Sequence, residues 1–225
     1  MKTMESVIAL VLACQARNVG WTLFSLPCES LIGRGRNVCA CKFLSSGCTH
    51  MIFIDADIVF EESSVFKLID ADKDVIGGVY AKKCLRIEDI KERAQDCASV
   101  KELCERCALL ASNEIEGTPR SGLQHVLYLP TGFMLLRRTA LEALIEQHGS
   151  SLQYVNDIGA YKHCTYNGYM YNFFPSEIHN GRLLSEDYGF CALWQSIEGE
   201  LYADYSIKLA HIGQFWFYSN PELNG

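Results

Sequence analysis

The chain has 225 residues, enough for one large or two small domains, and at 49% hydrophobic it can bury a substantial core rather than remain disordered. A net charge of −7 without a long basic run argues against a nucleic-acid partner, because neutralising a phosphate backbone needs clustered Lys and Arg. A nucleotide-sized ligand is not excluded, since a metal ion and one or two arginines suffice for it.

The apolar run at residues 6–13 predicts a first buried β-strand; it is short for a signal-peptide core, and Glu5 stands where such a peptide is basic. Residues 15–26 then predict a loop and helix. A second helix spans 34–45, opened by Gly33-Arg34-Gly35-Arg36-Asn37 and stopped by Gly47. A strand at 51–54, a short helix at 62–69 and a strand at 75–80 follow. This alternation predicts an α/β fold with a mostly parallel sheet flanked by helices. Residues 87–112 are charged and helical in pattern, and residues 113–122 read as a loop. Strands at 125–129 and 132–137 meet at Pro130-Thr131-Gly132, and a helix covers 139–148. Residues 154–174, rich in Tyr, Asn and Gly, read as a strand pair or a loop that touches ligand. A helix opens at Ser185 and runs to Trp194, and strands at 201–205 and 207–211 complete the chain. A single mixed α/β domain over 1–225 fits this order, without internal repeat or linker. No stretch approaches the ~20 apolar residues of a membrane span, so no membrane anchor is expected.

Eleven cysteines would leave one unpaired in an oxidised protein. Cys39-x-Cys41 and Cys104-x-x-Cys107 invite a zinc reading, but no second Cys pair or His pair at matching spacing accompanies them. Free thiols in a reducing, cytoplasmic setting are therefore expected.

Residues 51–60 read MIFIDADIVF: four apolar residues run straight into two acids one residue apart. A buried strand ending in carboxylates delivers them to a sheet edge where α/β proteins bind ligands. Alternation along an extended chain would send Asp55 and Asp57 the same way. Two carboxylates so placed repel unless a cation intervenes, and the natural occupant is Mg²⁺ or Mn²⁺ bridging substrate phosphates. Alone, the same pattern is a strand end followed by an acidic loop.

Other segments keep it company. The arginines and glycines at residues 33–37 could cradle a diphosphate at a helix start, or merely form a solvated helix entrance. Ser185 can cap a helix whose first turn holds Glu186 and Asp187; these acids either complement the helix dipole or supply a general base at Asp187. His211, between a strand and Gly213, is either structural or a metal ligand. Gly132 can bring backbone next to a sugar.

Together these segments resemble the glycosyltransferases of the GT-A fold, which carry Asp-x-Asp, a glycine-containing loop, a Glu-Asp pair opening a helix and a late metal-binding His, in that order. The pattern RxRN, FIDxDI, GGxYxKK, TGFMLxRR, LSEDYxFC, LxHxG is similar to that of the small GT-A enzymes of large chlorella viruses and related phage proteins. Here it runs from Arg34-Gly35-Arg36-Asn37 through residues 53–58, 77–83, 131–138 and 184–191 to 209–213, and the likeness spans residues 7–217.

The resemblance implies a GT-A, Rossmann-like fold, with a nucleotide-binding half at about 1–83 and an acceptor and sugar half at about 84–225. It implies transfer of a sugar, UDP-activated by default, from a nucleotide diphosphate donor to a glycan or glycoprotein hydroxyl. If the protein is viral, its place is the host cytoplasm. Asp57, Asp55 and His211 would hold Mn²⁺ or Mg²⁺, with Asp57 the firmer ligand. Gln15, Arg34, Arg36, Asn37 and Asp55 would contact the donor, with Arg137 and Lys208 left open as alternatives to Arg34 and Arg36 at the diphosphate. Thr131, Gly132, Glu186, Gly78 and Tyr80 would line the sugar or acceptor. Asp187 would be the base of an inverting transfer, and Tyr161, Tyr166, Tyr169 and Trp216 are aromatic candidates on the acceptor side. Residues after the first predicted strand lack the Pro common in the family. Two rival readings are a haloacid dehalogenase-type phosphatase, with Asp55 as nucleophile, and a degenerate nucleotide-sugar binding module.

Overall fold

The computed structural model describes residues 2–27, 29–157, 159–213 and, as backbone, 216–218. In chain order the elements are α1 (Lys2–Ala16), α2 (Ile32–Leu44), β1 (His50–Ile54), β2 (Ile58–Val59), α3 (Glu62–Asp70), β3 (Val75–Gly78) and β4 (Ala81–Leu85). Then come α4 (Ile87–Arg93), α5 (Val100–Cys107), β5 (Ala108–Leu110), β6 (Asn113–Glu114), β7 (Leu123–Tyr128), β8 (Phe133–Arg137) and α6 (Arg138–Leu152). The chain closes with β9 (Gln153–Tyr154), β10 (Met170–Tyr171), β11 (Ile178–His179), β12 (Arg182–Leu183), α7 (Glu186–Gln195), β13 (Tyr202–Asp204), β14 (Ala210–Ile212) and β15 (Trp216–Tyr218). It gathers into two compact units: Met1–Val19 with Ile52–Leu135 and Leu201–Gly225, and Gly20–Met51 with Leu136–Glu200.

The fold is α/β, with a six-stranded sheet in the order β1-β8-β3-β13-β7-β6. The sheet is mixed as expected, but the expectation that it is mostly parallel is corrected: its pairings are mostly antiparallel. β13 runs parallel to β3, but β7 runs antiparallel to both β13 and β6. The first eighty residues lack the strand–helix alternation on which the expectation rested, because the segment predicted as the first strand is α1.

That helix has a clear cause. Thr3, Ser6 and Cys14 are buried, and Val7 and Leu10 pack against the core of the first unit. Their spacing of three and four is one face of a helix. The run looked strand-like because Ile8 and Leu12, on the other face, are also apolar yet exposed. Two of the residues that reveal the helical period, Thr3 and Ser6, are polar. Ser6 is buried because its Oγ accepts the Phe60 N–H at 3.2 Å. Likewise residues 19–27 form no helix, and Trp21, Leu23 and Phe24 are exposed.

The core of the first unit joins Ile58 and Phe60 to Val65 and Leu68 of α3, Ile76 and Tyr80, Phe133 and Leu135 of β8, and Ile207 and Leu209. Complete burial of a side chain such as Leu68 contributes about 1.5–3 kcal/mol. β3 is buried throughout and needs its glycines: a Cβ on Gly77 would lie 2.6 Å from the Phe133 carbonyl oxygen, and one on Gly78 would lie 2.9 Å from Leu209.

The expected single helix over 87–112 is two helices. Residues 97–99 interrupt it, and Ser99 caps α5 by accepting the Glu102 N–H at 3.2 Å, while Glu102 Oε2 accepts the Ala98 N–H at 2.9 Å. β4 and β5 close this insertion as an antiparallel pair, with Arg86 N–H bonded to the Cys107 carbonyl at 2.9 Å.

In the second unit α2, α6 and α7 pack on one another, and α2 and α6 also pack on β10. Arg138 ties α2 to the start of α6. Its guanidinium donates to the carbonyls of Phe43, Leu44, Ser46 and Cys48 at 2.6–3.1 Å, completing the C-terminal end of α2 where cation and donor are both favoured. Two Asn-Gly pairs make tight turns with positive φ at both central residues: Asn167 (52°) and Gly168 (84°), then Asn180 (51°) and Gly181 (77°) between β11 and β12.

Candidate functional site

The Asp-x-Asp segment is not extended, as alternation predicted. It forms a β-turn between β1 and β2, in which the Asp55 carbonyl accepts the Ile58 N–H at 3.0 Å. Backbone bonds pin it on both sides: the Asp55 N–H to the Gly132 carbonyl at 2.9 Å, and the Asp57 carbonyl to the Ile212 N–H at 2.7 Å. The second bond fits the β2–β14 ladder, whose register sets His211 opposite Ile58. Pairing of strands about 150 residues apart thereby carries the imidazole to Asp57.

His211 Nε2 lies 3.4 Å from Asp57 Oδ2, and His211 Nδ1 bonds the Ala81 carbonyl oxygen at 2.8 Å. A carbonyl can only accept, so Nδ1 carries the proton, and in the neutral ring Nε2 presents its lone pair. Tyr80 packs edge-on against the imidazole with ring centroids 5.2 Å apart. The Tyr80 hydroxyl accepts the Gly132 N–H at 3.2 Å. A Cβ on Gly132 would lie 2.5 Å from that hydroxyl and 2.9 Å from Asp55 Oδ2, so only glycine brings the backbone this close to the acids. Lys83, on β4, donates to Asp57 Oδ2 at 2.5 Å. Partial burial pushes the Asp57 carboxyl up, but the Lys83 hydrogen bond and the His211 and Lys83 charges outweigh it and hold the group below the ordinary carboxylate range.

The donor set fits a divalent cation. A carboxylate oxygen and an imidazole nitrogen 3.4 Å apart are spaced like neighbouring ligands at right angles around an ion with bonds of roughly 2.0–2.6 Å. The Nδ1-to-carbonyl bond is the outer support that metal-binding histidines use. No group of three or more His, Cys, Asp or Glu side chains at metal-holding spacing occurs among the described residues. Mg²⁺ sites of the phosphate-bridging kind use one or two carboxylates and take further ligands from substrate and water.

The remaining expected residues fall elsewhere. Thr131 adjoins Gly132 but is only 2% exposed, and Gly78 faces core side chains. Gln15, expected after a first strand, is instead exposed in the last turn of α1, because that strand is a helix.

Arg34, Arg36 and Asn37 lie inside α2, which begins at Ile32. Arg34 forms a two-bond pair with Glu29, Nε to Oε2 at 3.0 Å and Nη2 to Oε1 at 2.8 Å. The Arg34 bond, followed by smaller contributions, lowers the Glu29 carboxyl to about 2. Asn37, expected at the donor, is 3% exposed and spends its amide inside the second unit: Nδ2 donates to Asn172 Oδ1 at 2.9 Å and Oδ1 accepts the Phe174 N–H at 3.0 Å.

Ser185 is the N-cap of α7 as expected, but its hydroxyl makes no capping bond to the helix backbone. It donates instead to Asp187 Oδ1, which also accepts the Tyr188 N–H at 2.9 Å. Glu186 lies beside the start of α2, its Cβ 3.4 Å from where a Cβ on Gly33 would stand. Tyr166 and Tyr169 flank the first Asn-Gly turn, Tyr169 exposed, Tyr161 is half-buried, and the side chain of Trp216 lies outside the described residues.

Sequence reasoning assigned no role to Lys83. The signal was there, since Lys82-Lys83 follows the Gly77-Gly78 strand within one of the quoted motifs, but nothing local pointed a lysine at Asp57.

Ten of the eleven cysteines are described and are free thiols; burial lifts Cys39 to about 11 and Cys41 to about 12. No described helix is long and apolar enough to cross a membrane.

No protein-family model matches the chain, and no curated protein matches it. Among solved structures it is similar to A197 from STIV, at 14% identity and a TM-score of 0.49, over 96% of this chain and 87% of that one. Nothing about function is drawn from a likeness that remote.

Proposed function

We propose that the chain is a metal-dependent glycosyltransferase of the GT-A type, moving a sugar from a nucleotide diphosphate donor, by preference a UDP-sugar, to a glycan hydroxyl with inversion. The observation that carries this reading is the Asp57–His211 pair, with the imidazole anchored through Nδ1 so that Nε2 and Oδ2 face one another. Two lone pairs in that arrangement repel unless a proton or a cation lies between them. Asp57 and His211 would hold Mn²⁺ or Mg²⁺, and Asp55, beside Gly132, would reach the donor ribose or a water on the ion. The ion would neutralise charge building on the leaving diphosphate. The base role of Asp187 comes from the resemblance of residues 184–191 to LSEDYxFC. It is supported by an aspartate whose Oδ1 is already oriented by two donors.

The test is a thermal-shift panel of UDP-, GDP- and dTDP-sugars with Mn²⁺, Mg²⁺ or chelator, on wild type and Asp57→Ala. A ligand specific to the native state stabilises it by about 2.7 kcal/mol at a hundredfold excess over Kd. A metal-dependent shift with one donor class is expected in wild type and absent in the variant. A donor shift that survives chelation or Asp57→Ala removes the metal role. Phosphate release from simple phosphoesters would instead favour a phosphatase.

A further inference from the structure

Asp57 Oδ2 meets two side chains at once. It accepts from the Lys83 ammonium at 2.5 Å and faces His211 Nε2 at 3.4 Å. The Lys83 side chain is 40% exposed and that of Asp57 39%, so burial does not lock the ion pair. The backbone beneath Lys83 is better held. The Ala81 carbonyl is bonded to His211, and Ala81 and Leu85 pair with Leu110 and Ala108 of β5. Between those two pairings the register shifts, and residues 82–84 are exposed. A long flexible stem thus rises from a fixed strand and lays its charge on a metal-ligand oxygen.

We propose that Lys83 is a resident stand-in for the cation: it occupies the Asp57 carboxylate in the metal-free protein, is displaced when a divalent ion binds, and then turns its charge to the donor diphosphate. This rests on the reading of Asp57 and His211 as metal ligands. An ammonium and a divalent ion repel at one carboxylate oxygen, so Lys83 opposes binding of the ion alone. A diphosphate arriving with the ion reverses the sign, because lysine is a compact point charge well suited to phosphate oxygens. The site therefore favours metal and diphosphate together over metal alone.

Titration calorimetry on the intact chain tests this with Mn²⁺ alone, and with inorganic pyrophosphate in saturating Mn²⁺. Lys83→Met should bind Mn²⁺ alone roughly 1.5- to 5-fold more tightly than wild type, the scale at which a half-exposed ion pair competes. It should bind pyrophosphate more weakly, while Lys83→Arg follows wild type in both. A merely structural defect weakens both affinities, so the opposite signs are the signature. Lys83→Gln repeats the measurement should the Met variant fold poorly. Unchanged or weaker Mn²⁺ affinity in Lys83→Met, with binding lost in Asp57→Asn, overturns the proposal and leaves the metal site standing. Unchanged pyrophosphate affinity overturns the diphosphate role. Asp57→Asn binding Mn²⁺ like wild type removes the metal reading itself.

Discussion

Two side chains in the second unit carry residue-scale consequences. Asp187 Oδ1 is occupied by Ser185 and the Tyr188 amide, so a proton taken from an acceptor would go to Oδ2. Asp187→Asn keeps the shape and removes the basicity. Turnover should fall by roughly 10²–10⁴-fold with donor affinity spared, measured as sugar transfer against donor titration; normal transfer would end the base assignment. Glu29 makes a pH prediction. Its carboxyl is lowered to about 2 in the folded chain, against about 4.5 ordinarily, chiefly by the hydrogen bond from Arg34. A group depressed on folding contributes stability that is present above its unfolded value and lost as pH falls through its folded one. The stability gap between wild type and Glu29→Gln should therefore be full above pH ~4.5 and vanish near pH ~2. Urea midpoints across that range check it, and a gap independent of pH would mean that the ion pair contributes nothing.

At the scale of elements, the second unit depends on two helices that approach one loop without side chains in between. A Cβ on Gly189 of α7 would lie 1.8 Å from the Pro175 carbonyl oxygen, and one on Gly33 of α2 would lie 2.7 Å from that of Phe174. Phe174 is also stacked on Phe190, with centroids 4.8 Å apart. In a free helix, Gly to Ala gains about 1 kcal/mol. Here the backbone carbonyl must move, and overpacking of this kind costs about 1–3 kcal/mol or more. Gly189→Ala should accordingly lower the urea midpoint; a raised midpoint would show that the loop yields freely. The Asn167-Gly168 turn lies in the segment read as a strand pair or loop, whereas the Asn180-Gly181 turn was not predicted, although Asn-Gly between strand-like segments is the strongest short hairpin signal. Their strands were harder to place, because β11 and β12 have only two residues each.

Across the whole molecule, the sequence was most readable where a local pattern suffices. The strand at β1 and the helices α2, α3, α6 and α7 are of that kind. What escaped was set by distant partners. Ser6 is buried because it bonds Phe60, and that made α1 look like a strand. The antiparallel pairings follow from setting β7 between β13 and β6, which no window of sequence contains. Asn37 read as a ligand contact because its partners Asn172 and Phe174 lie about 135 residues away. The acids of the Asp-x-Asp were legible, but their turn geometry was not, because it is fixed by Gly132 and Ile212.

Arg138 adds a consequence in time. It completes the end of α2 from 94 residues downstream of Leu44. At translation rates of ~5–20 residues per second, α2 exists on the ribosome for roughly 5–20 s before that arginine is even synthesised. During this interval the carbonyls of Phe43, Leu44, Ser46 and Cys48 lack the guanidinium that binds them in the folded chain, and the helices that cover α2 have yet to be made. The second unit is thus assembled late in synthesis, after most of the first unit's strands have been translated, although its opening helix is among the earliest parts of the chain to emerge.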